Sequence, residues 1–202
     1  DAERIHVETA TNGLSPVEPC TVVIFGGSGD LARRRLIPAL YNLLLDGLLP
    51  QKYVVLGLGR KPMTDEEFRG VAREGITRFS RQALSDEKWR DFSNHLFYQP
   101  GDTDDPATFQ QIKQRAEEIE RQFGLPGHRI FYLSIPPSSF TTVCQGLEQS
   151  GLAVRPAQNV PYARIIVEKP VGRDLQSAKH INAVTGRVFD ESQIFRIDHY
   201  LG

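Results

Sequence analysis

The chain of 202 residues is 40% hydrophobic and 24% charged, an ordinary globular composition that excludes a disordered or fibrous chain and needs no disulfide or metal staple. Its 24 Lys and Arg nearly cancel 25 Asp and Glu, so no bulk basic field points to nucleic acid and any anion site must be local. No apolar run approaches the roughly 18 residues of a membrane span, and no signal-peptide pattern opens the chain. Cys20 and Cys144 lie far apart and outside any CxxC pair, as expected of reduced thiols in a cytoplasmic protein.

Residues 1–19, with Thr11-Asn12-Gly13 and Ser15-Pro16, show no apolar periodicity and are expected to form a mobile arm. Thr21 to Phe25 is a continuous β-branched and apolar run, the pattern of a strand buried on both faces. Gly26-Gly27-Ser28-Gly29-Asp30 follows, then a helical pattern through Leu31, Leu36, Leu40 and Leu44, stopped by Asp46-Gly47. Tyr53 to Gly59 repeats the buried strand, and Thr64-Asp65-Glu66-Glu67 caps a second helix. His95 to Tyr98 is a third strand. A helix runs from Thr103 to about Phe123, closed by Gly124. Arg129–Ser134, Ala163–Val167 and Ile194–Ile197 supply three more strands, with helices from the Pro136-Pro137 pair to Ser150 and from Asp174 to Val188.

Alternating strands and helices predict an α/β fold, a doubly wound parallel sheet of the Rossmann-like dinucleotide-binding kind over residues 20–202. Ligands bind such sheets at the carboxyl ends of the strands. Gly26, Gly29 and Ala32 form a G-x-x-G-x-x-A spacing between a strand and a helix, where a glycine backbone can approach a pyrophosphate set on the helix N-terminus. No Gly-Lys pair occurs, which excludes a Walker-type loop. Of Arg33-Arg34-Arg35, which oppose the helix dipole, an anion at the helix start would give one a purpose. NAD-preferring sites usually end the second strand with an acidic residue, whereas this chain has Gly59-Arg60-Lys61. Arg60 can fork onto a 2′-phosphate, with Ser28 opposite as a hydroxyl donor, so NADP is the expected cofactor. Glu168-Lys169-Pro170 and Asp198-His199-Tyr200 close the fifth and sixth strands at the same edge.

Three motifs together resemble the amino-terminal, coenzyme-binding part of glucose-6-phosphate dehydrogenase: Gly26 to Ala32, Glu168 to Leu175, and Arg196 to Gly202. The resemblance spans Thr21 to Gly202. It implies oxidation of glucose 6-phosphate at C1 to the 6-phosphoglucono-lactone, with hydride passed to NADP, in the oxidative pentose phosphate pathway. It also implies that Gly26, Gly27, Ser28, Gly29, Asp30, Leu31 and Ala32 hold the coenzyme and Arg60 its 2′-phosphate. Lys169 would lie between coenzyme and sugar, His199, Tyr200 and Arg35 would bind the sugar phosphate, and Asp198 would pair with the catalytic general-base histidine. In the family that histidine lies in a second domain, absent here. His6, His95, His128 and His180 are no substitutes. The chain starts at Asp1 and stops at Gly202, so both ends are expected to be cuts, leaving a monomeric, inactive piece of a homo-oligomer.

Arg35 stands where the family usually has lysine, and Phe140 where some relatives have tyrosine. A stand-alone NADP-binding or sensing module is the alternative. A short-chain dehydrogenase is excluded, because no tyrosine has lysine four residues on.

Overall fold

The computed structural model describes residues 4–9, 18–168 and 175–200. In chain order its strands are β1 (Arg4–Thr9), β2 (Cys20–Phe25), β3 (Tyr53–Gly59), β4 (Leu96–Pro100), β5 (Arg129–Leu133), β6 (Ala163–Glu168) and β7 (Ile194–Tyr200). The helices are α1 (Ile37–Leu45), α2 (Asp65–Phe79), α3 (Asp86–Ser93), α4 (Ala107–Phe123), α5 (Phe140–Gln149) and α6 (Leu175–Val188). The strands lie in the order β1-β7-β6-β5-β2-β3-β4. Six of them, β2 to β7, are mutually parallel. This is the doubly wound sheet expected from the alternation.

Direction along the sheet explains the two layers. From β2 the chain steps through β3 to β4, and α1, α2 and α3 fall on one face, where Ile37, Tyr41, Phe68, Ala72, Ile76, Trp89 and Phe92 pack. From β4 it returns past β2 to β5, β6 and β7, so α4, α5 and α6 cover the other face. Strands covered on both sides have no solvent face, which is why β2 and β3 are apolar without alternation. The order reverses between β2 and β5.

Four local expectations are corrected. The arm expected over residues 1–19 is a strand at Arg4–Thr9, paired antiparallel to β7 with Ile5 opposite His199. Ile5 and Val7 alternate with polar residues, the short period-two pattern of an edge strand. Helix α3 was not expected; Ser85 caps it by accepting from the Lys88 amide (3.5 Å), and Trp89 and Phe92 give it an inward face. Helix α4 starts at Ala107 rather than Thr103, because Asp102 and Asp105 side chains capture the amides two residues on, at 2.9 and 3.0 Å. The first helix opens with a π turn over Ala32–Leu36 before α1 begins.

Candidate functional site

The carboxyl ends of β2 and β5 meet where strand order reverses, the place at which doubly wound sheets open a crevice. Gly26 leaves β2 with φ +84°. A Cβ there would sit 2.0 Å from the Ser134 carbonyl oxygen, so only glycine fits between the two strand ends. The Gly26 and Gly27 amides both donate to the Leu58 carbonyl (3.0 and 2.8 Å), drawing the turn onto the end of β3. A Cβ on Gly27 would meet the Gly57 backbone at 2.8 Å. Gly29 donates back to Gly26 (3.0 Å) and Arg33 to Gly29 (3.2 Å), closing the turn into the helix.

The amides ahead of Arg33 are end-of-helix donors that a helix cannot satisfy internally. Beside them, Ser134 Oγ is buried with no hydrogen-bond partner among the described residues. A glycine turn with few side chains, helix-end donors and an orphan hydroxyl at a switch point fit the diphosphate of a dinucleotide. The charge nearby is local too. Arg33 binds Asp30 (3.0 Å) and Glu74 (2.8 Å), and Arg34 binds Asp30 (2.9 Å). These guanidinium groups hold the Asp30 carboxyl below its usual range, the hydrogen bond from Arg33 contributing most. Arg35 is half-buried on the π turn. Gly75 of α2 lets that turn approach, since a Cβ there would lie 2.4 Å from the Arg33 carbonyl.

At the neighbouring corner, Gly59 ends β3 and a Cβ on it would strike Ser28 Oγ (2.1 Å) and the Tyr98 hydroxyl (2.8 Å). The structure thus brings Ser28 beside the end of β3. Tyr98 donates to the Lys61 carbonyl (2.6 Å), and burial pushes its phenol up against the opposing effect of a hydrogen bond with Ser28. Arg60 follows, with its side chain 70% exposed and Nη2 on Asp102 (3.3 Å) and Asp104 (3.0 Å). Neither carboxylate is marked by a local sequence signal: Asp104 falls in the expected helix start, Asp102 lies just before it, and only the pairing of β3 with β4 brings them to Arg60.

Farther along the same edge, Tyr132 of β5 donates to Glu168 Oε1 (2.8 Å), fixing the end of β6. Burial, then the Glu168 charge, push the Tyr132 phenol well up. Lys169 lies outside the described residues, as do Leu201 and Gly202. Asp198, His199 and Tyr200 are the last three residues of β7, beginning one position after Ile197, the partner of Glu168. His95 and His128 precede β4 and β5 at the opposite edge, and His180 is exposed on α6.

Residues 23–202 match a family model described as "Glucose-6-phosphate dehydrogenase, NAD binding domain". The chain belongs to the glucose-6-phosphate dehydrogenase family. It is 37% identical over 185 residues to glucose-6-phosphate 1-dehydrogenase of Chlamydia pneumoniae, an alignment covering 91% of this chain and 36% of that protein. Against glucose-6-phosphate 1-dehydrogenase 2 of Mycobacterium bovis it is 40% identical over 184 residues, 91% of this chain and 35% of the relative. A solved glucose-6-phosphate dehydrogenase, in complex with its substrate glucose 6-phosphate, superposes with a TM-score of 0.76 at 33% identity, covering 90% of this chain and 37% of that one. The Mycobacterium avium enzyme superposes at 0.70 and 31% identity, over 89% and 35% of the two chains. The chain therefore spans little more than a third of the relatives it matches, and the part it matches is the family's dinucleotide-binding domain.

Proposed function

We propose that this chain binds NADP at the β2–β5 switch point and provides the coenzyme side of a dehydrogenase that oxidises glucose 6-phosphate at C1 to the 6-phosphoglucono-lactone, in the cytoplasmic pentose phosphate pathway. The observation that carries the coenzyme assignment is the Gly26–Gly29 turn, in which a Cβ on Gly26 or Gly27 would strike neighbouring backbone. The diphosphate lies on that turn and on the helix end formed by Asp30, Leu31 and Ala32, with Ser28 beside it. Arg60, in the place where an acidic residue would select the plain ribose, takes the 2′-phosphate. When bound, the nicotinamide supplies the hydride acceptor.

The substrate side uses the β6 and β7 ends. Lys169 contacts coenzyme and sugar, and His199, Tyr200 and Arg35 bind the sugar phosphate. Asp198 orients and charge-stabilises the general-base histidine that removes the C1 hydroxyl proton. That histidine belongs to a second domain, and residues 20–202 are the dinucleotide-binding unit. The whole enzyme is a homo-oligomer, and this chain alone is monomeric and inactive. Among the described residues no helix is long and apolar enough to cross a membrane.

Equilibrium titration tests the coenzyme assignment. The chain should bind NADP more tightly than NAD, and Arg60→Ala should weaken NADP by about ten- to a hundredfold, the worth of one charge-assisted contact, while leaving NAD within about twofold. Equal losses for both coenzymes would remove Arg60 from the 2′-phosphate.

A further inference from the structure

The ion pairs of Arg60 give the coenzyme corner a second chemical character. Both contacts fall on Nη2, and Nε and Nη1 carry none among the described residues. The carboxylates are held by backbone rather than by chance. The Gly101 amide donates to the Gly59 carbonyl (2.9 Å), so the segment after β4 leaves the sheet beside the segment after β3. A Cβ on Gly101 would strike Thr108 at 2.6 Å, and Thr108 Oγ1 donates to the Asp102 carbonyl (2.6 Å). Asp102 Oδ1 also accepts the Asp104 amide (2.9 Å), which keeps both carboxylates facing one way.

Two carboxylates on one guanidinium leave these three groups with a net charge of −1. A phosphate arriving at Arg60 must displace or repel them, whereas a ribose 2′-hydroxyl can donate to a carboxylate as in NAD-preferring sites. Resting on the assignment of Arg60 to the 2′-phosphate, we propose that Asp102 and Asp104 are specificity-determining residues that hold down the preference for NADP and keep NAD admissible. Arg60 attracts the phosphate, and the carboxylates offset that attraction. Coenzyme choice in this chain is therefore set across two strand ends.

Titrations of NADP and NAD with the full chain, Asp104→Asn, the double variant Asp102→Asn/Asp104→Asn, and each of these combined with Arg60→Ala test the proposal. Asparagine keeps an oxygen for the Asp104 amide, so the loop remains formed, and a thermal melt checks this in each variant. The double variant should tighten NADP by about three- to tenfold, the worth of one or two exposed ion pairs, and leave NAD unchanged or weaker. Asp104→Asn alone should move the ratio part of the way, and the gain should vanish in the Arg60→Ala background. NADP affinity that is unchanged or weaker in a folded double variant, or an equal gain for both coenzymes, would overturn the proposal while leaving Arg60 in its role. If Arg60→Ala itself leaves NADP binding untouched, the 2′-phosphate assignment and this proposal fall together.

Discussion

Gly26 carries two demands at once. Its φ of +84° lies where a side chain is strained, and the Ser134 carbonyl occupies the space a Cβ would take. Strain of about 1–3 kcal/mol and a similar cost of overpacking both act against any other residue. Gly26→Ala should therefore lower unfolding free energy by about 2–4 kcal/mol and abolish saturable NADP binding, measured by urea denaturation and titration. Wild-type stability in that variant would mean the turn is free to reshape. Gly59 and Gly27 carry only the demand for space, each against a different neighbour. Gly59 makes room for Ser28 and Tyr98, and Gly27 for the β3 backbone.

Between elements, a contact that holds the β2 end in place runs through α4 and α5. Gly146 of α5 faces Phe109 of α4, and a Cβ on it would meet three ring carbons at 2.2–2.5 Å. Phe109 is 1% exposed and stacks on Phe25 at the end of β2, so the ring has nowhere to retreat. Alanine would gain about 1 kcal/mol of helix propensity, but overpacking costs about 1–3 kcal/mol. Packing wins. Gly146→Ala should destabilise by about 1–2 kcal/mol, and much less in a Phe109→Leu background. A stabilised Gly146→Ala would show that α4 and α5 slide freely.

Elements differ in how plainly the sequence announces them. Strands β2, β3 and β5 are legible because burial on both faces makes them continuous apolar runs, and Gly124 marks the end of α4 as expected with φ +67°. Strand β1 and α3 are short, six and eight residues, so periodicity has little length in which to appear. The π turn at Ala32–Leu36 leaves a single mark, a five-residue step from Leu31 to Leu36 where Leu36, Leu40 and Leu44 follow at four, and one such interval does not break a helical pattern.

Across the whole molecule, the features hidden from sequence are contacts between distant segments. Arg60 meets Asp104 across 44 positions, and buried Glu120 accepts from Thr21 across 99 and from Arg129 nearby. The glycine turn reads as a local string, and the strand order sets the ends of β2 and β7 on one edge of the sheet, whereas the carboxylates on Arg60 required the pairing of β3 with β4.

Protonation also acts at this scale. Burial pushes Cys20 up to about 11 and Cys144 up to about 12, from an ordinary 9.0. It raises the phenols of Tyr53, Tyr132 and Tyr162 as well. In each case the unfolded chain releases its proton first as pH rises. Stability from these groups is therefore full below pH 9 and lost progressively above it. Urea midpoints should be level from about pH 7 to about pH 8.5 and fall clearly by about pH 10.5. A midpoint that holds or rises there would mean the thiols and phenols are more open to water than the packing indicates. Below the carboxylate range, protonation of Glu191 and Glu74, whose carboxyls arginines hold low, should erode stability only slightly because both are exposed.

The central claim is that a dinucleotide sits on the carboxyl ends of β2, β3 and β5. Amide chemical shifts of the labelled chain, followed while NADP is added, test it most directly. The largest changes should fall on Gly26 to Ala32, Arg60 and Ser134, saturating together. Changes centred instead on the opposite edge, around Cys20, His128 and Tyr162, would contradict it.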